Sequence, residues 1–155
     1  MMTEVTPLLL TLQSVLDQEG SRTEKAQRVA ELIRVSGHYR WVGLYDYLEA
    51  EDMLNLIAFS GPAAPAFTSF SAETGLGGSA IHSGSTVMVG DVRLDPRYIT
   101  TFGNTLSEIV VPIKHPITDH PLGLIDVESE CLDAFKPHDR ILLEQCAHDL
   151  TKLWT

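Results

Sequence analysis

The segment spanning residues 107–129 constrains the fold more than any other. Residues 107–113 read Ser-Glu-Ile-Val-Val-Pro-Ile and residues 122–129 read Leu-Gly-Leu-Ile-Asp-Val-Glu-Ser. Both are rich in β-branched and apolar residues, which suit a pleated, half-buried surface. Residues 114–121 between them carry two prolines and an Asp, the chemistry of a turn. The pattern predicts an antiparallel hairpin. Glu108 lies near the start of its first arm, and Asp126 and Glu128 near the end of its second, so the hairpin brings the three acids to one end. Asp126 and Glu128, two apart on a strand, share a face, and Glu108 joins them where the register allows. Carboxylates converging beside an apolar sheet repel one another and raise each other's pKa unless a positive group sits among them. A bound ammonium or metal ion would account for them; the plainer alternative is three solvated surface acids.

Composition limits the partners. At 155 residues the chain has the size of one domain with a proper core. A net charge of −10 argues against nucleic acid and against an anionic membrane surface. No apolar run reaches transmembrane length, and the start lacks the basic region of a signal peptide. Cys131 and Cys146 form neither a C-x-x-C motif nor a disulfide framework. The expectation is a reduced, cytoplasmic protein.

Taken in order, residues 6–17 form a helix with Leu8, Leu9, Leu12, Val15 and Leu16 as its apolar stripe. Ser21 and Glu24 fit a capping box for a second helix, which Gly37 stops. Residues 40–48 read as a strand with Trp41, Gly43, Tyr45 and Tyr47 on one face and Val42 and Leu44 on the other. Residues 52–60 are its hairpin partner, and residues 67–71 a short strand. Residues 75–84 look like a glycine-rich entry into a helix of one or two turns. Residues 85–90 form another strand, and residues 92–106 a long loop of the kind that is usually functional. After the acidic hairpin, Pro137 opens a last helix. The order predicts an α+β domain: a mostly antiparallel central sheet, with N-terminal helices (1–37) and a C-terminal helix (136–154) on one face. Residues 38–129 supply the sheet and a pocket on the other face.

Several motifs carry weaker signals. Gly75-Leu-Gly77-Gly78-Ser-Ala80 satisfies a dinucleotide fingerprint, but a helix this short cannot cross between parallel strands. What survives is a helix N-terminus able to face an anion. Trp41 and Tyr45 share a face and could form an apolar wall with a polar handle. His115 and His120 lack further ligands at metal spacing, so no metal and no cofactor is expected. Cys146 lies on the last helix's apolar stripe, and Cys131 reads as an ordinary thiol.

Together these stretches resemble a GAF domain, and more closely the free methionine-(R)-sulfoxide reductases, a single-domain GAF family. The resemblance rests on Trp41-Val-Gly-Leu-Tyr45, Gly75 to Ala80, Asp91-Val92, Pro96-Arg-Tyr-Ile99, Ser107 to Pro112, Gly123 to Ser129, and Phe135 with Asp139. It implies a pocket for a zwitterionic amino acid. Trp41 and Tyr45 would line the ligand's methyl end, and Glu108, Asp126 and Glu128 would fall at the family's pocket carboxylates. Glu128 stands where the family usually has Asp, and the longer side chain is expected to reach further into the pocket. The family's three cysteines are replaced: Gly77, Thr101 and Phe67 occupy their positions. A threonine hydroxyl cannot climb the sulfur oxidation ladder and is hardly ionised near neutral pH.

The sequence therefore supports a stand-alone, non-catalytic GAF module that binds a small amino-acid-like zwitterion through Trp41, Tyr45, Gly77, Thr101, Glu108, Asp126 and Glu128. A residual reductase acting through Cys131 is the enzymatic alternative, and the carboxylates could also serve as acid and base. A third reading is an interaction or signalling module that pairs as a homodimer through its terminal helices. A sensor role would call on a separate effector protein.

Overall fold

The computed structural model describes residues 6–100 and 102–155. Helix α1 (Pro7–Asp17) begins where the Thr6 hydroxyl accepts the Leu9 N–H. Helix α2 (Arg22–Gly37) begins where Ser21 Oγ accepts the Glu24 N–H at 3.1 Å. These side chains satisfy amide groups that a helix start leaves without intrahelical partners. Gly37 does not stop α2. The left-handed cap is His38, at φ 55°, and its N–H returns to Arg34 and Val35 carbonyls. Gly37 is required for a different reason: a Cβ there would stand 2.1 Å from the Tyr39 ring.

Strands β1 (Trp41–Leu48) and β2 (Met53–Ser60) form a hairpin over a 3-10 turn, Glu49–Glu51. Then come β3 (Ser69–Ser71), helix α3 (Gly75–Ser83), and β4 (Val87–Val89). Strands β5 (Ser107–Lys114) and β6 (Pro121–Ser129) are the expected acidic hairpin, and helix α4 (Pro137–Asp149) closes the chain with a 3-10 turn, Leu150–Trp154. The six strands lie in the order β3-β2-β1-β6-β5-β4, with every neighbouring pair antiparallel. This is the expected α+β architecture. Gly75, Gly77 and Gly78 lie within α3 rather than ahead of it, and Gly84 is its left-handed C-cap. At Gly78 a Cβ would come within 2.1 Å of the Ala72 carbonyl, so this helix needs glycine to pack against the preceding turn.

Period-two alternation divides the sheet cleanly. Val42, Leu44, Ile109, Val111, Ile113, Ile125 and Val127 pack under the terminal helices with Leu12, Val29, Ile33, Leu143 and Leu150. The other face carries Trp41, Tyr45, Leu54, Val110 and Leu124, covered by Leu76, Ala80 and Ile81 of α3. Among the described residues, no helix is long and apolar enough to cross a membrane.

A polar clasp holds the chain's end to the sheet. Both terminal nitrogens of Arg22 donate to Asp46 at 3.2 Å, and Trp154 Nε1 donates to the same carboxylate at 2.8 Å. The guanidinium also lies 4.8 Å above the Trp154 ring, a favourable cation–π geometry. Gly123, opposite Asp46 on β6, leaves room for this arrangement. A Cβ there would meet the Tyr45 carbonyl at 2.1 Å and the Trp154 ring at 2.7 Å. Gly123→Ala must therefore displace backbone, and is expected to destabilise the fold by roughly 2 kcal/mol or more. Urea unfolding of the variant against the parent protein checks this.

Candidate functional site

The site is built by strand register. In the β5–β6 ladder Glu108 faces Glu128 and Val110 faces Asp126; in the β1–β6 ladder Trp41 faces Glu128 and Gly43 faces Asp126. Alternation puts Glu108, Asp126 and Glu128 on the α3 side of the sheet. All three are buried, at 7%, 9% and 1% exposure, so they are not solvated surface acids. One carboxylate oxygen from each lies within 4.8 Å of the other two. Asp126 Oδ1 and Glu128 Oε2 are buried without a hydrogen-bond partner. Glu128 Oε1 accepts from the buried Thr105 hydroxyl at 2.9 Å.

No lysine, arginine or histidine among the described residues pairs with this triad. The nearest-placed guanidiniums in sequence, those of the covering loop, are committed elsewhere. Arg93 forks onto Asp91 and Arg97 onto Asp95, each with two side-chain hydrogen bonds of 2.7–3.0 Å. Burial, with the neighbouring acids second, therefore raises all three carboxyls. Glu108 is pushed up to about 8, Glu128 to about 9, and Asp126 well above the usual carboxylate range. The same burial and acids raise the Tyr45 phenol. At neutral pH the triad on its own holds protons.

A cavity of about 50 Å³ opens beside the triad, lined by Glu108 and Asp126 among Tyr45, Phe67, Phe70, Gly75, Leu76, Gly77, Tyr98, Ile99, Val110 and Leu124. Of the residues expected from sequence, Tyr45, Gly77, Glu108 and Asp126 line it. Tyr45 meets Phe70 edge-on at 5.4 Å. Trp41 does not line it: it is 1% exposed, packed between Phe59 and Phe102 with its Nε1 donating to the Ala63 carbonyl. The missing side chain of Gly43 admits that ring, since a Cβ there would fall 2.3 Å from it. Glu128 does not line the cavity either; its extra methylene lets it reach Thr105 at the edge of the covering loop. Thr101 lies outside the described residues. Phe70, Tyr98, Ile99 and Thr105 were not singled out from sequence as site residues. Tyr98 and Ile99 belong to the long loop and to the Pro96–Ile99 stretch of the resemblance, whereas Thr105 has only its place in that loop.

The other candidates separate from the site. His115 Nδ1 accepts from the Ile117 and Thr118 amides, and His120 pairs with Glu49, so each serves its turn. Cys146 is fully buried, and burial pushes its thiol up to about 12. Cys131 is exposed and does not line the cavity.

A curled antiparallel sheet with helices on one face, and a short helix with a long loop roofing a pocket on the other, defines a GAF domain. No family model matches the chain. Solved structures do: a free methionine-R-sulfoxide reductase from Neisseria meningitidis in complex with its substrate superposes with TM-score 0.86 at 31% identity, covering 95% of this chain and 86% of that one. GAF domain-containing protein A of Dictyostelium discoideum is 29% identical over 89% of this chain and 84% of its own. The free methionine-R-sulfoxide reductase of Saccharomyces cerevisiae is 34% identical over 72% of this chain and 61% of its own. The chain belongs to the GAF-domain family of the free methionine-R-sulfoxide reductases.

The raised carboxyls carry a stability signature. Each ionises near 4.5 or below when unfolded but much higher when folded, so the native state holds more protons between these limits. Its stabilising protonation is fully present below the unfolded value and is lost as pH rises through about 8 to 9. The ligand-free protein should lose stability steadily from pH 5 to 9. Glu128→Gln, neutral at all pH, should flatten that slope and stabilise the fold at pH 8 by on the order of 1–3 kcal/mol. Thermal melts across the pH range check both.

Proposed function

We propose that this protein binds a small amino-acid-like zwitterion without reducing it, using the triad to hold the ligand's ammonium group. The observation that carries this reading is the pair of buried carboxyl oxygens, Asp126 Oδ1 and Glu128 Oε2, that receive no hydrogen bond from outside the triad. Once ionised, these buried carboxyls need a cationic partner, and no lysine, arginine or histidine among the described residues supplies one. An α-ammonium does, with three donors in a compact head. The aromatic and aliphatic walls suit an apolar side chain beside it. The first turn of α3, whose N-cap Thr74 gives no side-chain hydrogen bond, offers backbone N–H groups for a carboxylate through Gly75, Leu76 and Gly77.

At about 50 Å³ the cavity holds little more than the ammonium head, since one water claims ~30 Å³ and ligand pockets usually run to ~300 Å³ or more. The rest of the ligand takes its room from the rim. Phe67 and Ile99 there are exposed at 59% and 42%. Tyr98 lines both the cavity and two outer clefts of about 420 and 520 Å³. Movement of this rim opens the acids to a ligand the size of methionine sulfoxide.

The chemistry of cysteine-based reduction is missing from this pocket. Gly77 and Phe67, two of the positions that the resemblance gives to cysteines, stand in the cavity wall, and neither can attack sulfur. The enzymatic alternative passes through Cys131, favoured only by the activity named for the relatives. Its backbone is tied, with its carbonyl accepting from Ser107 Oγ at 2.6 Å, and its thiol lies outside the cavity. The terminal helices carry exposed Leu10, Val35 and Ile141, which suit homodimer contacts; light scattering reads that state directly.

Calorimetric titration with free methionine-(R)-sulfoxide is the principal test. Binding should tighten from pH 6 to pH 8, by up to tenfold per pH unit for each proton the triad releases, and Asp126→Asn should weaken it at least tenfold. Absence of heat at every pH would overturn the reading. Turnover with a thiol reductant that disappears in Cys131→Ser would instead establish the reductase.

A further inference from the structure

We infer that Thr105 is the positioning residue of the ligand site: its hydroxyl engages one oxygen of Glu128 so that the other is presented to the ligand's cation. This rests on the reading that the triad receives an ammonium group. Thr105 Oγ1 donates to Glu128 Oε1 at 2.9 Å, and both side chains are buried, at 6% and 1% exposure. The opposite oxygen, Oε2, receives no hydrogen bond from outside the triad, within which the Glu128 carboxyl lies beside that of Asp126. A carboxylate with one oxygen engaged and the other open is oriented, not free to rotate.

The backbone around Thr105 is held firmly enough for the hydroxyl to act as a fixed donor. The next residue, Leu106, donates its N–H to the Ser129 carbonyl at 2.8 Å and accepts from Val92 at 2.9 Å. These bonds tie the end of the covering loop to the strand that carries Glu128. The same arrangement explains the use of glutamate at position 128. Its length spans from the strand to Thr105, and a carboxylate oxygen of Glu128 still lies within 4.8 Å of those of Glu108 and Asp126. Thr105 also lines the outer cleft on which Tyr98 and Phe102 border, so the wall of the ligand's entry and the orientation of the acid meet in one residue. A hydroxyl donor favours the ionised carboxylate, and this bond opposes the rise that burial imposes on Glu128.

Thr105→Val keeps the shape and removes the donor; Thr105→Ser keeps the donor. Two readouts decide. The first, free of ligand, is the carboxyl carbon-13 NMR titration of Glu128. Its midpoint should move up in Thr105→Val by half a pH unit or more and return in Thr105→Ser. The second is the affinity for methionine-(R)-sulfoxide, expected to fall about tenfold at pH 7 in Thr105→Val. The pH at which binding sets in should shift upward with the carboxyl midpoint, and Thr105→Ser should restore both. A Glu128 midpoint unchanged in a folded Thr105→Val overturns the inference whether or not the parent protein binds. So does parental affinity in Thr105→Val. A parent protein that shows the NMR shift but binds no sulfoxide overturns the ligand reading, and with it the positioning role. Should Thr105→Val fail to fold, Thr105→Ala is measured on the same two axes. Glu128→Asp, too short to reach Thr105, should make the Thr105 substitutions silent.

Discussion

The register of the β5–β6 hairpin is the constraint on which the rest of this structure depends. Because side chains alternate with a period of two, a slip of one residue would exchange the faces of the whole arm. In the observed register Ile109, Val111, Ile113, Ile125 and Val127 all seal the core beneath the terminal helices. The same alternation sends Glu108, Asp126 and Glu128 to the opposite side, under α3 and the long loop. The apolar core thus dictates the position of the acids. Burying those five aliphatic side chains contributes on the order of 1.5–3 kcal/mol each, enough to offset the cost of holding protonated carboxyls away from water.

That cost shapes the molecule's chemistry. Three buried carboxyls without a basic side chain among them keep their protons to a higher pH than ordinary carboxylates. The loop's own cations are paired locally. Asp91-Val-Arg93 and Asp95-Pro-Arg97 are two successive local forks, in which each Asp takes both the backbone N–H and the guanidinium of the Arg two residues on. These forks are exposed and add little to stability. Their consequence is local: they tie each Arg to the Asp two residues before it in the loop.

The fold is shared with the relatives, while the positions that the resemblance gives to cysteines hold Gly77, Thr101 and Phe67. The fold, the acidic hairpin and the glycine-rich helix agree with relatives that include free methionine-R-sulfoxide reductases. The pocket wall nevertheless lacks a thiol. Gly77 packs under Leu54 and Leu124, where an added Cβ would stand 3.1 and 3.3 Å from their methyl groups. Restoring a cysteine there would require those leucines to move, so the apolar packing of this wall is itself fitted to glycine.

Much of this was written in the sequence because local physics carries it. The Ser-Glu-Ile-Val-Val-Pro and Gly-Leu-Ile-Asp-Val-Glu-Ser arms specify strands by their side-chain chemistry, and their alternation specifies that the acids share a face. Helix starts at Thr6, Ser21 and Pro137 follow from caps and from proline, each readable within four residues. What the sequence does not contain is depth. Whether Glu108 and Asp126 are solvated or buried depends on α3 folding over them, a matter of long-range packing. Trp41 has the pattern of a pocket wall, yet Phe59 and Phe102, distant in sequence, enclose it in the core. Beyond its place in the long loop Thr105 bears no mark in the sequence; its contact with Glu128 comes from the β5–β6 register. Sequence determined which residues could form the site, through strand periodicity and turn chemistry. Only the tertiary structure decided which of them meet and which oxygens stay unpaired, because burial and pairing belong to the whole fold rather than to any one segment.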